Sequence, residues 1–276
     1  MTYATLMVHV ELGRSNAALL KLAGDLAERL QTGVVGMAAV QPVQLTYGDG
    51  FLAGEVVEQD RADIAGEIEA AEAEFRVALS GRARHLDWRA QVTFLPLAEA
   101  LAREARRADL IVTGLGPPGV LFNTARRANV GDLAMQAGRP VLIAPEGVER
   151  LELGHAIIGW KETREARRAL ADAIPLLKLA ARVSVVEIAA RPDLPEAGAR
   201  LADIVHWLNH HGVTAEAEAS ATHGEDAARL AAIADQKGAD LIVAGAYGHS
   251  RLREWALGGV TQDLLMNARR CALVSH

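Results

Sequence analysis

Residues 109 to 144, DLIVTGLGPPGVLFNTARRANVGDLAMQAGRPVLIA, and residues 240 to 275, DLIVAGAYGHSRLREWALGGVTQDLLMNARRCALVS, align without a gap at a constant offset of 131. About a third of the positions are identical, too many for chance at one fixed register. Asp109, Leu110, Ile111, Val112 and Gly114 recur as Asp240, Leu241, Ile242, Val243 and Gly245, and Asp132, Leu133, Met135 and Arg139 recur as Asp263, Leu264, Met266 and Arg270. Further upstream, LMVHV (6 to 10) answers AIIGW (156 to 160), and GVVGMAAV (33 to 40) answers RVSVVEIA (182 to 189). Two copies with so long a period indicate a duplicated domain, not a solenoid. A chain of 276 residues is comfortable for two cores of this size. The reading assigns residues 1–147 to a first domain and 152–276 to a second, joined near PEGVERLELG (145 to 154).

Within each half, short apolar runs without strict alternation separate longer helical patterns, as parallel strands buried on both faces require. In the second half the strands fall near 155–160, 182–189, 213–219, 240–244 and 271–275, with four helices between them. Ala166, Ala169, Leu170, Ala173, Ile174 and Leu177 share one helix face, which Pro175 should kink or end. Thr222-His-Gly-Glu225 reads as a capping box. Strand and helix alternating through short loops give the fold class α/β: two tandem doubly wound parallel sheets of five strands. The first half carries an insertion at about 41–62, including TYGDGFLAGE, followed by a polar-faced helix around EIEAAEAEF (67 to 75).

Hydrophobic residues make up 50% of the chain and aromatics 4%, so the cores must be built from aliphatics and alanine. The net charge of -6, with signs interspersed, argues against nucleic acid or an anionic membrane as the main partner. One cysteine, Cys271, allows no internal disulfide, and the N-terminus lacks the pattern of a secretory signal. A cytoplasmic location is the expectation. No serine elbow, paired catalytic carboxylates or metal-binding cysteines are found.

The glycine-rich stretch GAYGHSRLREWALGG (245 to 259) begins at the carboxyl end of a strand, where open α/β sheets bind ligands and helix N-termini offer free N–H groups. Gly245 and Gly248 can take positive φ and turn backbone N–H groups toward an anion, and Gly258 and Gly259 allow close approach. Thr261 adds a hydroxyl, as a ligand contact or a helix cap. No Walker lysine follows. GLGPPG (114 to 119) matches the dinucleotide fingerprint only formally, since it follows the fourth strand and holds two prolines. His206 and His210, four residues apart, read as a polar helix end more than as metal ligands, and Cys271 as an inert core thiol.

The spacing G-x2-G-x9-G over Gly245, Gly248 and Gly258, followed by GVT (259 to 261), resembles the nucleotide loop of the universal stress proteins. The order of elements in both halves is similar to that family's domain, so the chain is identified as a tandem member. The resemblance implies a stress-response protein without catalytic residues. It also implies an adenine nucleotide such as ATP, with or without Mg2+, at Gly245, Gly248, His249, Gly258, Gly259, Val260 and Thr261 of the second half. Two positions depart from the family pattern: Gly259 stands where Ser or Thr is usual, and Lys161 where an acid at the end of the first strand lies beside the adenosine. In the first half Pro117, Arg127, Ala128 and Val130 replace Gly248, Gly258, Gly259 and Thr261, so nucleotide is not expected there in the same manner. The resemblance further implies that PVLIA (140 to 144) and CALVS (271 to 275) pair the halves about a pseudo-two-fold axis, an intramolecular dimer, with a homodimer of such chains as a further assembly. A nucleotide-free scaffold that meets a protein partner is the alternative reading. A slow ATPase would need a base or a metal-binding acid beside the loop; Asp263 recurs as Asp132 in the degenerate half, which points to a role in the fold.

Overall fold

The computed structural model describes residues 2–43, 53–115, 125–222, 224, 226–246 and 270–276. The first half runs β1 (Thr5–His9), α1 (Ala17–Leu30), β2 (Gly33–Val40), α2 (Ala53–Leu79), β3 (Leu86–Val92), α3 (Leu97–Glu104), β4 (Leu110–Gly114), α4 (Val130–Gln136) and β5 (Val141–Ala144). The second runs β6 (Ala156–Trp160), α5 (Arg164–Leu177), β7 (Val183–Ala189), α6 (Leu194–His210), β8 (Glu216–Ala221), α7 (Asp226–Lys237), β9 (Leu241–Gly245) and β10 (Cys271–Ser275). A fourth helix of the second half, expected between β9 and β10, lies outside the described residues, as does the tip of the 41–62 insertion.

All ten strands form one sheet in the order β3-β2-β1-β4-β5-β10-β9-β6-β7-β8. Every neighbouring pair is parallel except β5 with β10, which is antiparallel and joins the two halves. Ala272, Leu273 and Val274 face Ile143, Leu142 and Val141. Leu142 and Leu273 occupy the same position of the repeat, so the seam pairs each copy with itself, as a two-fold relation demands. The pairing also covers two strand edges that would otherwise present unpaired backbone groups.

Near the seam, Tyr3 Oη donates to the Asp172 carbonyl at 2.5 Å, and Ser275 Oγ donates to Asp172 Oδ2 at 2.9 Å. Burial pushes the Tyr3 phenol above its ordinary range, which keeps it a donor. The segment between the halves is tied back onto α1: Arg29 donates to the Leu151 carbonyl at 2.6 Å, and Lys21 meets Glu149 at 2.8 Å.

The buried face of α5 consists of Ala166, Ala169, Leu170, Ala173, Ile174 and Leu177, the stripe that the helical period predicts. Pro175 falls in the last turn, two residues before the helix ends, where a missing N–H disturbs little of the ladder. The Thr222 hydroxyl donates to Asp226 Oδ1 at 2.7 Å and so ties the start of α7; Glu225, its expected partner, lies outside the described residues. The polar-faced helix of the insertion is α2, whose Ile64, Ala71, Phe75 and Leu79 form a narrow buried stripe while Glu55, Glu58 and Glu69 are exposed. Phe75 stacks on Trp88 of β3 with ring centroids 5.4 Å apart.

Candidate functional site

In each half the chain reverses its direction of winding between two central strands, β1 and β4 or β6 and β9, and a crevice at their carboxyl ends is the expected ligand position. The two crevices are built from repeat-related residues with different chemistry.

In the second half, Lys161 follows β6 and is exposed, and its carbonyl accepts from Thr163 N at 2.7 Å. Thr163 caps α5, its Oγ1 accepting from Ala166 N at 3.2 Å. Glu165 in the first turn is 5% exposed. Burial alone would raise its carboxyl, but hydrogen bonds from Arg164 and the helix start outweigh that and hold it below the usual range. No ion pair of Lys161 is found among the described residues, and its ammonium lies at the mouth of the crevice.

Gly245 ends β9 and does not have positive φ, contrary to the expectation from sequence. Its lack of a side chain has another cause. A Cβ there would lie 2.6 Å from Ala166 N and 2.6 Å from the Glu165 carbonyl carbon, so the first turn of α5 rests directly on this glycine. Gly248, His249, Gly258, Gly259, Val260 and Thr261 lie outside the described residues. The described part of the crevice, a helix N-terminus with a lysine beside it, suits an anionic group.

In the first half the same places hold His9 for Gly159, Thr113 for Ala244, Glu11 for Lys161 and Gly114 for Gly245. His9 Nδ1 and Thr113 Oγ1 share a hydrogen bond of 3.0 Å beneath the crevice. Nε2 of His9 is buried without a partner among the described residues. Burial holds this imidazole below its ordinary pKa, against the pull of Glu11, so the ring is neutral.

Glu11 pairs with Arg14 at 3.1 Å and with Arg127 at 3.7 Å. Arg127 occupies the repeat position of Gly258 and supplies the protein's own cation to this acid. Around Gly114 there is room: among the described residues a Cβ would meet nothing nearer than Leu19 Cδ2 at 3.9 Å. A cavity of about 310 Å³ opens here, lined by His9, Glu11, Arg14, the start of α1, Gly114, and Glu146 and Glu149 of the segment between the halves. Sequence reasoning missed His9 and this cavity. The available signal was an imidazole interrupting the apolar strand LMVHV.

The His206 and His210 rings on α6 lie 4.4 Å apart, and no third potential ligand joins them among the described residues. Cys271 is buried in β10, and burial, with Asp240 nearby, pushes its thiol up to about 12, which suppresses the nucleophilic thiolate. Beyond Leu115, the GLGPPG motif lies outside the described residues. No helix among the described residues is long and apolar enough to cross a membrane.

A model of the Universal stress protein family matches residues 155–275. Among solved structures, a universal stress protein from Archaeoglobus fulgidus DSM 4304 superposes with a TM-score of 0.71 at 12% identity, covering 98% of this chain and 97% of that one. A functionally unknown protein from Pseudomonas aeruginosa PAO1 superposes with a TM-score of 0.61 at 17% identity, covering 99% and 92%. No curated protein matches. Such identities establish a shared fold over both halves, and the second half in addition matches the family model. Residues 155–275 thus match the universal stress protein family, and the whole chain has the α/β fold of a solved tandem universal stress protein.

Proposed function

We propose that the protein is a stress-response module that binds an adenine nucleotide such as ATP in its second half and performs no chemistry on it. The observation that carries this reading is the G-x2-G-x9-G spacing over Gly245, Gly248 and Gly258, which leaves the carboxyl end of β9 beside the β6 crevice. The positive charge of Lys161 and the N-terminus of α5 support it, because both favour phosphate. Lys161 has three donors and no acceptor, so in this reading it serves phosphate oxygens and not the ribose hydroxyls that a carboxylate would receive. Gly245 acts by letting α5 come close, and the amide donors come from the segment after it.

Calorimetric titration of ATP, with and without Mg2+, into the intact protein and into Gly248→Pro tests the reading. Binding that is lost on the substitution is expected, since proline removes an N–H and fixes φ. Absence of heat at millimolar nucleotide would overturn the proposal, and so would affinity unchanged by the substitution. Steady ADP release by the pure protein, abolished in Gly248→Pro, would overturn the non-catalytic part alone.

A second reading, a scaffold without nucleotide, is favoured by one observation: Gly245 is required by packing against α5 whether or not a ligand is bound.

A further inference from the structure

We propose that the cavity of the first half binds a small zwitterion of the α-amino acid type. Its volume of about 310 Å³ lies at the small end of ligand cavities, which run from about 300 to 1,000 Å³. Its walls divide into a side that attracts a carboxylate and a side that attracts an ammonium.

The carboxylate side is the start of α1 with Arg14. A helix N-terminus has unpaired N–H donors and the positive end of a dipole, and it is usually closed by its N-cap side chain. Here the N-cap residue does not close it. Asn16 Oδ1 accepts from Glu11 N at 3.0 Å, and Asn16 Nδ2 donates to the carbonyls of Glu11 and Arg14, so this side chain makes no bond to the helix. Asn16 N is taken by Glu74 and Ala17 N by Ser15 Oγ. Ala18 and Leu19, the next two residues of the first turn, line the cavity. Arg14 contributes a planar guanidinium on the same side.

The ammonium side is acidic. Glu11 and Glu146 each take one nitrogen of Arg14 at 3.1 Å. A ligand carboxylate that engages Arg14 frees one of these acids, and the ligand's ammonium takes the place that Arg14 gives up. The exchange conserves charge, so the ligand replaces an ion pair instead of burying a new charge.

The second, independent sign of a ligand is His9, 2% exposed and lining the cavity, whose Nε2 has no partner among the described residues. Buried polar atoms of this kind are nearly always satisfied, so an unpartnered one on a residue of the cavity wall stands out. A nucleotide is a poor occupant here: Glu11, Glu146 and Glu149 would face its phosphates, and Arg127 is already paired with Glu11.

Calorimetry of the intact chain with each of the twenty L-amino acids, and with acetate and methylamine as half-ligands, tests the proposal. At least one amino acid is expected to bind with submillimolar affinity, while neither half-ligand binds at about 10 mM. Arg14→Gln, a change at a partly exposed residue that leaves the core intact, is expected to weaken binding about tenfold or more. In nitrogen NMR, the His9 Nε2 resonance is expected to shift on saturation. Gly248→Pro is expected to change none of this, which separates the site from the nucleotide reading. The proposal is overturned if no amino acid binds at about 10 mM, if acetate binds as tightly as the best zwitterion, or if Arg14→Gln leaves affinity unchanged.

Discussion

The crevice between β1 and β4 and the crevice between β6 and β9 are copies of one another, and they have been turned into opposites. In the first, an acid, Glu11, follows the strand and an arginine, Arg127, reaches it from the repeat position of Gly258. In the second, a lysine follows the strand and glycines take the other position. In the first, His9 and Thr113 form a polar floor under open space. In the second, Gly159 and Ala244 leave no polar group, and a Cβ on Gly159 would meet Leu230 at 2.9 Å. The sheet order is the same in both halves, so the fold tolerates inversion of the charge at its ligand end. Duplication lets the two copies diverge, and the seam between β5 and β10 holds both in one molecule.

That seam offers the largest effects by which the comparison can be broken. Leu142 and Leu273 are fully buried, face one another in register and are copies of one repeat position. Truncating either to alanine should cost about 2–5 kcal/mol, and the two costs should agree to within about 1 kcal/mol. Urea unfolding checks both; a small cost at one and a large cost at the other would deny the symmetry of the seam.

The next effect separates the copies. Gly245→Ala pushes a methyl group into the backbone of α5 and should destabilise by about 1–3 kcal/mol, whereas Gly114→Ala meets, among the described residues, only Leu19 at ordinary contact distance and should stay within about 0.5 kcal/mol. Equal losses in thermal unfolding would mean that α1 and α5 approach their strands alike.

A smaller effect is confined to the first half. The folded pKa of His9 is depressed below its ordinary value of 6.5, so the unfolded chain takes up the proton first. Stability from this group is therefore complete above about pH 6.5 and falls as pH drops below it, with a slope approaching about 1.4 kcal/mol per pH unit. His9→Gln, which keeps a partner for Thr113, should flatten the profile between pH 7 and 5. A profile unchanged by the substitution would remove His9 from the account. No equivalent term arises in the second half, where the repeat position is Gly159.

The smallest effect concerns Lys161. Replacing it with glutamine should weaken ATP binding by roughly fivefold, about 1 kcal/mol, the scale of one exposed charge contact. Tighter binding by Lys161→Asp would show that the position serves ribose, as the family pattern implies, and not phosphate.

The architecture was largely legible in the sequence because parallel strands and amphipathic helices write strong periods. The stripe from Ala166 to Leu177 and the strands near 156, 183, 241 and 271 follow from spacing alone. The seam was legible through the resemblance to the family, which implies that PVLIA and CALVS pair the halves, and β5 and β10 do so. The β8 prediction began three residues early, at 213, because Val213 is buried in the turn ahead of the strand.

The sites were harder to read. Gly245 was recognised as special, but the reason assigned to it, a positive φ, is a local property, whereas the operative cause is α5 lying on it from 80 residues away. His9 gave a signal in its strand, yet its missing partner depends on what Thr113, Glu11 and the start of α1 do in space. Neither the approach of a helix nor an unpaired atom is written in any window of the sequence.

Photolabelling with 8-azido-ATP, followed by peptide mapping of the intact chain, tests most directly whether the two crevices have parted in function. The account predicts that label protected by excess ATP falls within residues 155–276 and is absent from 1–147. Protected label on peptides around His9, Glu11 or Arg127 would contradict it.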